Sequence, residues 1–116
     1  MSPIWDNNAL RNARFHPRVR ETVREWPKRV RVELGQAIQA LQVGIALAMP
    51  LARTMPSVGK GVEELRIKDS GGQYRVFYLA RFADGVLVFH AFVKKTRETP
   101  KHELALARAR LKEMLR

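Results

Sequence analysis

Hydrophobic positions near the start of the chain recur with the spacing of a helix. Val19, Val23 and Trp26 follow one another at intervals of four and three residues, which places them on one helical face. Pro17 is suited to the first turn of this helix, where its missing N–H removes no hydrogen bond. Residues 11–16, which precede it, predict a short strand.

A second helix is predicted from near Pro27 to Gly44. Proline is accepted at a helix start and glycine at a helix end, so both residues mark boundaries. The apolar stripe of this helix consists of Val30, Leu34, Ala37, Ile38 and Leu41. Together the two helices predict a helical hairpin, followed by a loop rich in proline and glycine that reaches Gly61.

The apolar period then changes from that of a helix to that of strands. Residues 62–68 alternate, with Glu63, Leu65 and Ile67 on one face and Glu64, Arg66 and Lys68 on the other. Further strands are predicted over residues 74–82 and 86–93, the last of them buried on both faces. Turn chemistry in residues 69–73 and the Asp-Gly pair within residues 83–85 predict two β-hairpins.

Pro100 opens a final helix with an apolar stripe. Its members are Leu104, Ala107, Leu111, Met114 and Leu115. The predicted order is β-αα-βββ-α, which is an α+β fold with an antiparallel sheet packed by an N-terminal helical hairpin and a C-terminal helix. With 116 residues, the chain is expected to form one domain over residues 1–116.

Charge is the strongest global signal. The chain has 22 Lys and Arg against 11 Asp and Glu, a net charge of +11 that favours polyanionic partners such as nucleic acid. There is no cysteine, so disulfides and thiolate metal sites are excluded. No apolar stretch has the length of a membrane span, and the first residues do not have the pattern of a signal peptide. These features predict a cytoplasmic protein that does not associate with membranes.

Hairpin geometry predicts that cations converge at one end of the sheet. Arg66 and Lys68 share a strand face, and Arg75 lies just across the turn. If residues 86–93 pair with residues 74–82, Lys94 and Lys95 come level with Tyr74 and Arg75. Such a cluster of like charges, without carboxylates, is unfavourable unless an anion neutralises it. The alternative is a solvated basic sheet edge that protects against aggregation.

Lysine and arginine without carboxylates or metal suit a phosphodiester substrate. In RNA the 2′-hydroxyl is a built-in nucleophile, so cleavage needs positioning, charge stabilisation and proton transfer. A lysine whose pKa is lowered by neighbouring cations is the candidate base. The histidines 16, 90 and 102 lie on separate elements, and His90 is interpreted as a core residue. The sequence predicts neither a metal site nor a cofactor.

Four segments carry a resemblance to a known family. "GVEELRI" (61–67), "YRVFY" (74–78) and "HAFVKKT" (90–96), with Pro100 and the hairpin "WPKRVRVELGQAIQALQVG" (26–44), resemble the HigB-type, phage-derived branch of the RelE/ParE toxin superfamily. The resemblance covers most of residues 12–116, so residues 1–11 are an N-terminal extension outside it.

The resemblance implies a RelE-like fold and the function of a toxin in a type II toxin–antitoxin module. It implies metal-independent cleavage of mRNA, usually on the ribosome, and neutralisation by a helix-turn-helix antitoxin of the HigA kind. By motif, the catalytic residues are then Arg66, Arg75, Lys94 and Lys95, and the RNA-binding residues are Lys68, Tyr74 and Arg97.

Two alternatives remain open from the sequence. One is a ParE-like toxin that inhibits DNA gyrase, which shares the same fold. The other is a basic nucleic-acid or protein-binding module without catalytic activity. The chain also departs from RelE-like ribonucleases, because no tyrosine follows Tyr78.

Overall fold

The computed structural model describes residues 10–81 and 85–116. The predicted α+β architecture is confirmed as a five-stranded sheet with three helices. The elements in chain order are β1 (Ala13–Phe15), α1 (Pro17–Arg24), α2 (Lys28–Gln42), β2 (Ala52–Thr54), β3 (Val62–Asp69), β4 (Gly72–Arg81), β5 (Gly85–Lys94) and α3 (Lys101–Met114). The residues 6–8 and the predicted turn residues Ala83 and Asp84 lie outside the described part.

The strands are arranged in the order β1-β5-β4-β3-β2. All neighbouring pairs are antiparallel except β1 and β5, which are parallel. The strand β2 was not predicted, because its three residues lie among prolines and glycines that indicated a loop. Its pairing with β3 ends at Ala52 opposite Leu65, and the Arg66 N–H still donates to the Leu51 carbonyl, so the outer edge of β3 has no strand partner among the described residues from Ile67 onward.

Each side of the sheet carries one hydrophobic core. The side that we call the α1–α2 face packs Leu65, Ile67, Val76 and Val88 against the helical hairpin. The opposite side, the α3 face, packs Val62, Phe77, Leu79 and Phe89 against α3. Because side chains alternate along a strand, every residue of β3 and β4 can be assigned to one of these faces.

The predicted helix boundaries agree closely with the structure. Pro17 opens α1, and the His16 side chain caps it by accepting a hydrogen bond from the Arg18 backbone N–H at 3.1 Å. Pro27 is the N-cap of α2, and Gly44 follows its end with a φ of 92°, a conformation that favours glycine. The predicted stripes of α1 and α2 are buried in the core of the α1–α2 face.

Candidate active site

A group of charged side chains extends over the part of the α3 face near the β3–β4 turn. Arg66 pairs directly with Arg75 across β3 and β4, and both project onto this face by strand alternation. Phe92 of β5 is opposite Arg75, so Lys94, two residues further along, is its diagonal neighbour on the same face. The convergence of Arg66, Arg75 and Lys94 is therefore built by strand register.

The register of β5 differs from the predicted one. Lys94 is opposite Gln73, not Tyr74 or Arg75. A bulge in β5 leaves Phe89 unpaired between the residues opposite Phe77 and Tyr78, and it moves Lys94 from opposite Gly72 to opposite Gln73. The bulge therefore places Lys94 on the same face as Arg75, and the cations converge because of it.

A buried carboxylate lies at the centre of this group. Glu64 is 1% exposed, and its Oε1 lies 3.3 Å from Arg53 Nε, 3.8 Å from Arg66 Nε and 3.7 Å from Arg75 Nε. The expectation of a cluster without carboxylates was wrong, because the chain supplies its own anion. We call Arg53, Glu64, Arg66, Arg75 and Lys94 the cationic cluster.

Glu64 compensates only part of the positive charge. Four cations surround one carboxylate, and all three arginines approach the same oxygen atom. Glu64 Oε2, Arg66 Nε and Arg75 Nε are buried without a hydrogen-bond partner. Buried polar atoms are normally paired. The cluster therefore has both excess positive charge and hydrogen-bond donors without partners, which a bound anion could satisfy.

Arg75 is the most enclosed cation of the cluster. It is 1% exposed, and its guanidinium donates to Gln73 Oε1 at 2.8 Å and to the Tyr74 backbone carbonyl at 3.4 Å. Burial lowers the pKa of Arg75, Glu64 opposes that shift, and Arg66 adds to it. An arginine nevertheless stays protonated, so Arg75 is a fixed positive charge beneath the surface.

Lys94 is partly exposed at the end of β5. Burial lowers the pKa of its amine, and the positive charge of Arg75 lowers that pKa further, while Glu64 acts in the opposite direction. The neutral form of Lys94 is thus more accessible than that of an ordinary lysine. This is the electrostatic effect predicted for a lysine among cations.

Arg66 and Lys68 line a groove at the open edge of β3. The groove has a volume of about 370 Å³, and its other lining residues are Glu33, Pro50 and Leu51. The backbone N–H of Arg66 donates to the Leu51 carbonyl at 2.8 Å, which joins the loop to the strand. The groove therefore gives an extended ligand access to Arg66 and Lys68 from the side of the sheet.

The remaining predicted site residues are not brought into the cluster. Lys95 and Arg97 are exposed after the end of β5 and form no ion pair with any described residue. Tyr74 lies on the α1–α2 face, where it is 5% exposed and its ring centroid is 5.0 Å from that of Trp26. Its ring is part of the hydrophobic core in this structure.

Sequence reasoning missed Glu64 and Arg53 as members of the site. The alternation of β3 already placed Glu64 on the same face as Arg66, which was a usable signal. Arg53 carried no such signal, because its strand was hidden in a segment that indicated a loop. Glu63 does lie on the opposite face, where it accepts a hydrogen bond from the Tyr78 hydroxyl at 2.7 Å.

His90 is confirmed as a core histidine. It is 2% exposed on the α3 face, where its Nε2 lies 2.7 Å from Glu103 Oε1 and its Nδ1 lies 2.8 Å from Arg110. Arginine can only donate, so Nδ1 accepts and Nε2–H donates to Glu103. Both ring nitrogens are thus engaged with α3.

The described residues provide neither a metal-binding cluster nor a membrane-spanning helix. Within residues 10–81 and 85–116, no cluster of three or more His, Cys, Asp or Glu has the arrangement of a metal site. None of the helices in the same ranges is long and apolar enough to cross a membrane.

Comparison with known proteins places the chain in a family. No curated protein matches its sequence. The family described as "Phage derived protein Gp49-like (DUF891)" matches residues 21–112, which include the second half of α1, all of α2, the cationic cluster and most of α3. This family is associated with the toxins of toxin–antitoxin systems. The chain therefore belongs to the phage-derived Gp49-like family.

Proposed function

We propose that this chain is the toxin of a type II toxin–antitoxin module and a metal-independent endoribonuclease of the HigB kind. The observation that carries the proposal is the cationic cluster, in which one buried carboxylate leaves most of the positive charge of four cations uncompensated. A phosphodiester is the anion that such a cluster suits, since arginine contacts phosphate oxygens in pairs. The family's association with toxins supports the same conclusion.

In this proposal the RNA strand lies along the groove at the edge of β3. Arg66 and Lys68 hold backbone phosphates there, and Arg53 adds charge next to Arg66. Arg75 is buried, so it acts from below as a fixed charge that Gln73 and Glu64 position. Lys95 and Arg97, exposed beyond β5, contact the strand as it leaves the cluster.

Lys94 is the residue that we assign to proton transfer. Its neutral amine accepts the proton of the 2′-hydroxyl while the 2′-oxygen bonds to the neighbouring phosphorus, which forms a 2′,3′-cyclic phosphate. The bond from phosphorus to the 5′-oxygen breaks, and that oxygen takes a proton from water and leaves as a 5′-hydroxyl. Arg66 stabilises the negative charge that develops on the phosphate oxygens. The lowered pKa of Lys94 suits this role, because a base works best with a pKa close to the working pH.

The proposal includes partners and location. The substrate is mRNA, read on the ribosome, and a helix-turn-helix antitoxin of the HigA kind neutralises the toxin in the cytoplasm. A reading frame for a helix-turn-helix protein is expected beside this gene, and co-expression of that frame should restore growth. Failure of that frame to restore growth contradicts the proposed partner.

Growth and translation assays test the proposed site. Expression of the wild-type chain should arrest growth and stop incorporation of labelled amino acids, and Arg66→Ala or Lys94→Ala should relieve the arrest. Lys112→Ala, on the exposed side of α3, is the control and should arrest fully. Full arrest by both site variants, with circular dichroism showing that they fold, contradicts the proposed site. Arrest with a DNA-damage response and intact translation favours inhibition of gyrase.

A further inference from the structure

A second group of cations lies far from the cluster in the chain, at the junction of α1 and α2. Residues 11–31 carry eight Lys and Arg against two Glu, and none of these cations belongs to the cationic cluster. Six of them are exposed and form no ion pair with a described carboxylate: Arg14 on β1, and five on the two helices. We call these five the helical patch: Arg20, Arg24, Lys28, Arg29 and Arg31.

The helical patch does not serve the stability of the helices. The first turn of α2 contains no acidic residue and instead begins with Lys28 and Arg29. The N-terminus of a helix carries partial positive charge, so each cation there destabilises the helix by about 0.3–1 kcal/mol. Neighbouring cations at a helix N-terminus, where acidic residues are preferred, indicate that the positive charge has a function.

The patch and the cationic cluster lie on opposite sides of the sheet. Val19 of α1 and Val30 of α2 are buried in the core of the α1–α2 face, so the exposed sides of these helices point away from the sheet. The cationic cluster is on the α3 face. The edge of β3 lies between them, where Glu33 of α2 lines the groove beside Arg66 and Lys68. The two groups of cations are therefore distinguished by separate variants.

The composition of the patch distinguishes among polyanions. Four of its five cations are arginine, and the planar guanidinium matches phosphate oxygens in two-point contacts. Two positions are already ordered: Arg20 stacks 5.1 Å above the Phe15 ring centroid, and Arg31 Nε donates to the Trp26 carbonyl at 3.1 Å. Arginines whose positions are fixed, and whose other guanidinium N–H groups can still donate, are suited to a ligand whose phosphates also have fixed positions.

We propose that the helical patch binds the phosphate backbone of a double-helical RNA. The protein then holds a structured RNA with its α1–α2 face while its α3 face acts on a separate single strand. The second half of this statement rests on the proposed function, but binding by the patch does not. Such an arrangement provides a physical basis for action on a single strand that is presented by a larger folded RNA.

The test measures binding of a labelled RNA duplex of about 20 base pairs as a function of salt. Each phosphate contact contributes about 0.9 to the slope of log affinity against log salt. The variant Arg24→Gln/Lys28→Gln/Arg29→Gln should lower that slope by about two or more, and should weaken binding at least tenfold at low salt. Glutamine is a good helix former, so the helices should remain intact.

A matched variant controls for net charge. Lys60→Gln/Lys112→Gln/Arg116→Gln removes the same charge from exposed positions outside the patch and should change the slope by less than half as much. Equal slopes for the two triple variants overturn the proposal. So does a patch variant that keeps duplex binding but no longer binds vesicles of phosphatidylcholine and phosphatidylserine, because the patch then serves a membrane surface.

A cluster variant separates this inference from the proposed function. Arg66→Ala/Lys94→Ala should keep most of the duplex affinity although it no longer arrests growth. If it loses duplex binding as fully as the patch variant does, the duplex binds at the cluster and the inference is wrong. If the wild-type chain binds the duplex through the patch but does not cleave RNA, the proposed function fails and the inference stands.

Discussion

At the scale of single residues, Glu64 and Lys94 determine how the cationic cluster works. Glu64 holds three guanidinium groups near one oxygen atom in a place where they would otherwise repel one another. Lys94 remains at the rim, where the same positive field lowers its pKa. In the proposed function the two residues have complementary roles, since Glu64 organises the charge and Lys94 transfers the proton.

Removing the Glu64 carboxylate should destabilise the protein strongly. Glu64→Gln leaves the buried Arg75 and the largely buried Arg66 without a counterion, and breaking a buried ion pair from one side costs about 3 kcal/mol. Urea unfolding measures the loss in the free energy of unfolding. Glu33→Gln, at an exposed position of α2, is the control and should change that free energy by less than about 0.5 kcal/mol. Equal, small losses for both variants contradict the organising role of Glu64.

The pH dependence of cleavage tests Lys94. Only the neutral amine accepts a proton, so below the pKa of Lys94 the rate should rise about tenfold per pH unit. Lys94→Arg keeps the positive charge but has no accessible neutral form, and it should remove this dependence together with most of the rate. Single-turnover cleavage of mRNA on purified ribosomes is the measurement. A Lys94→Arg profile parallel to that of the wild type assigns the base elsewhere.

At the scale of elements, α3 is fastened to β5 through His90. The neutral imidazole donates to Glu103 and accepts from Arg110, and both partners lie on α3. Burial lowers the pKa of His90, the hydrogen bond to Glu103 opposes this shift, and Arg110 adds to it. A proton on Nδ1 would place two donors against each other and weaken the attachment of α3.

This geometry predicts a loss of stability in mild acid. The pKa of His90 is lower in the folded chain than the ordinary 6.5, so the unfolded chain binds more protons between the two values. The contribution is complete above pH 6.5 and is lost as the pH falls from there toward the folded pKa, with a slope of at most about 1.4 kcal/mol per pH unit. Unfolding by urea between pH 8 and pH 5 measures it.

Two histidine variants separate the source of that slope. His90→Gln should flatten the acid slope, whereas His102→Gln should leave it in place, because His102 is exposed and contacts Glu103 only from outside. If the slope persists in His90→Gln and vanishes in His102→Gln, the effect belongs to His102 and the assignment to His90 is wrong.

Two glycines offer a test of the strand and helix geometry with opposite signs. Gly85 has a φ of 78°, and a Cβ there would collide with the backbone carbonyl of Asn12, so Gly85→Ala should cost about 2–4 kcal/mol. Gly35 lies inside α2, and a methyl group there would meet nothing within 4 Å apart from the backbone of its own helix. Gly35→Ala should therefore stabilise the protein by about 0.5–1 kcal/mol. Thermal unfolding of both variants is the measurement, and changes of the same sign contradict the geometry.

The elements that the sequence predicted well are those with strong periodicity or clear end signals. The stripes of α1 and α2, the faces of β3 and the buried β5 follow from apolar spacing alone. The strand β2 was missed because three residues are too few to show a period. The bulge at Phe89 was missed because nothing in an apolar run marks an extra residue, and it moved Lys94 by one position in the pairing.

At the scale of the whole molecule, the net charge of +11 separates into distinct surfaces. The convergence of Arg66, Arg75 and Lys94 was predicted from strand order and is confirmed. Polyanion binding, inferred from composition, stays a prediction. The sequence did not predict that Glu64 would be buried among these cations or that Tyr74 would face the other core. Those outcomes depend on which face each helix covers, which is a property of tertiary packing.

The central claim is that the cationic cluster cleaves mRNA. Mapping of mRNA 5′ ends in cells that express the chain tests it most directly, with Lys94→Ala as the matched inactive variant. New 5′ ends within coding regions are expected for the wild type, and none are expected for Lys94→Ala at equal protein levels. Growth arrest by the wild type with no new 5′ ends, or identical new ends for both proteins, would contradict it.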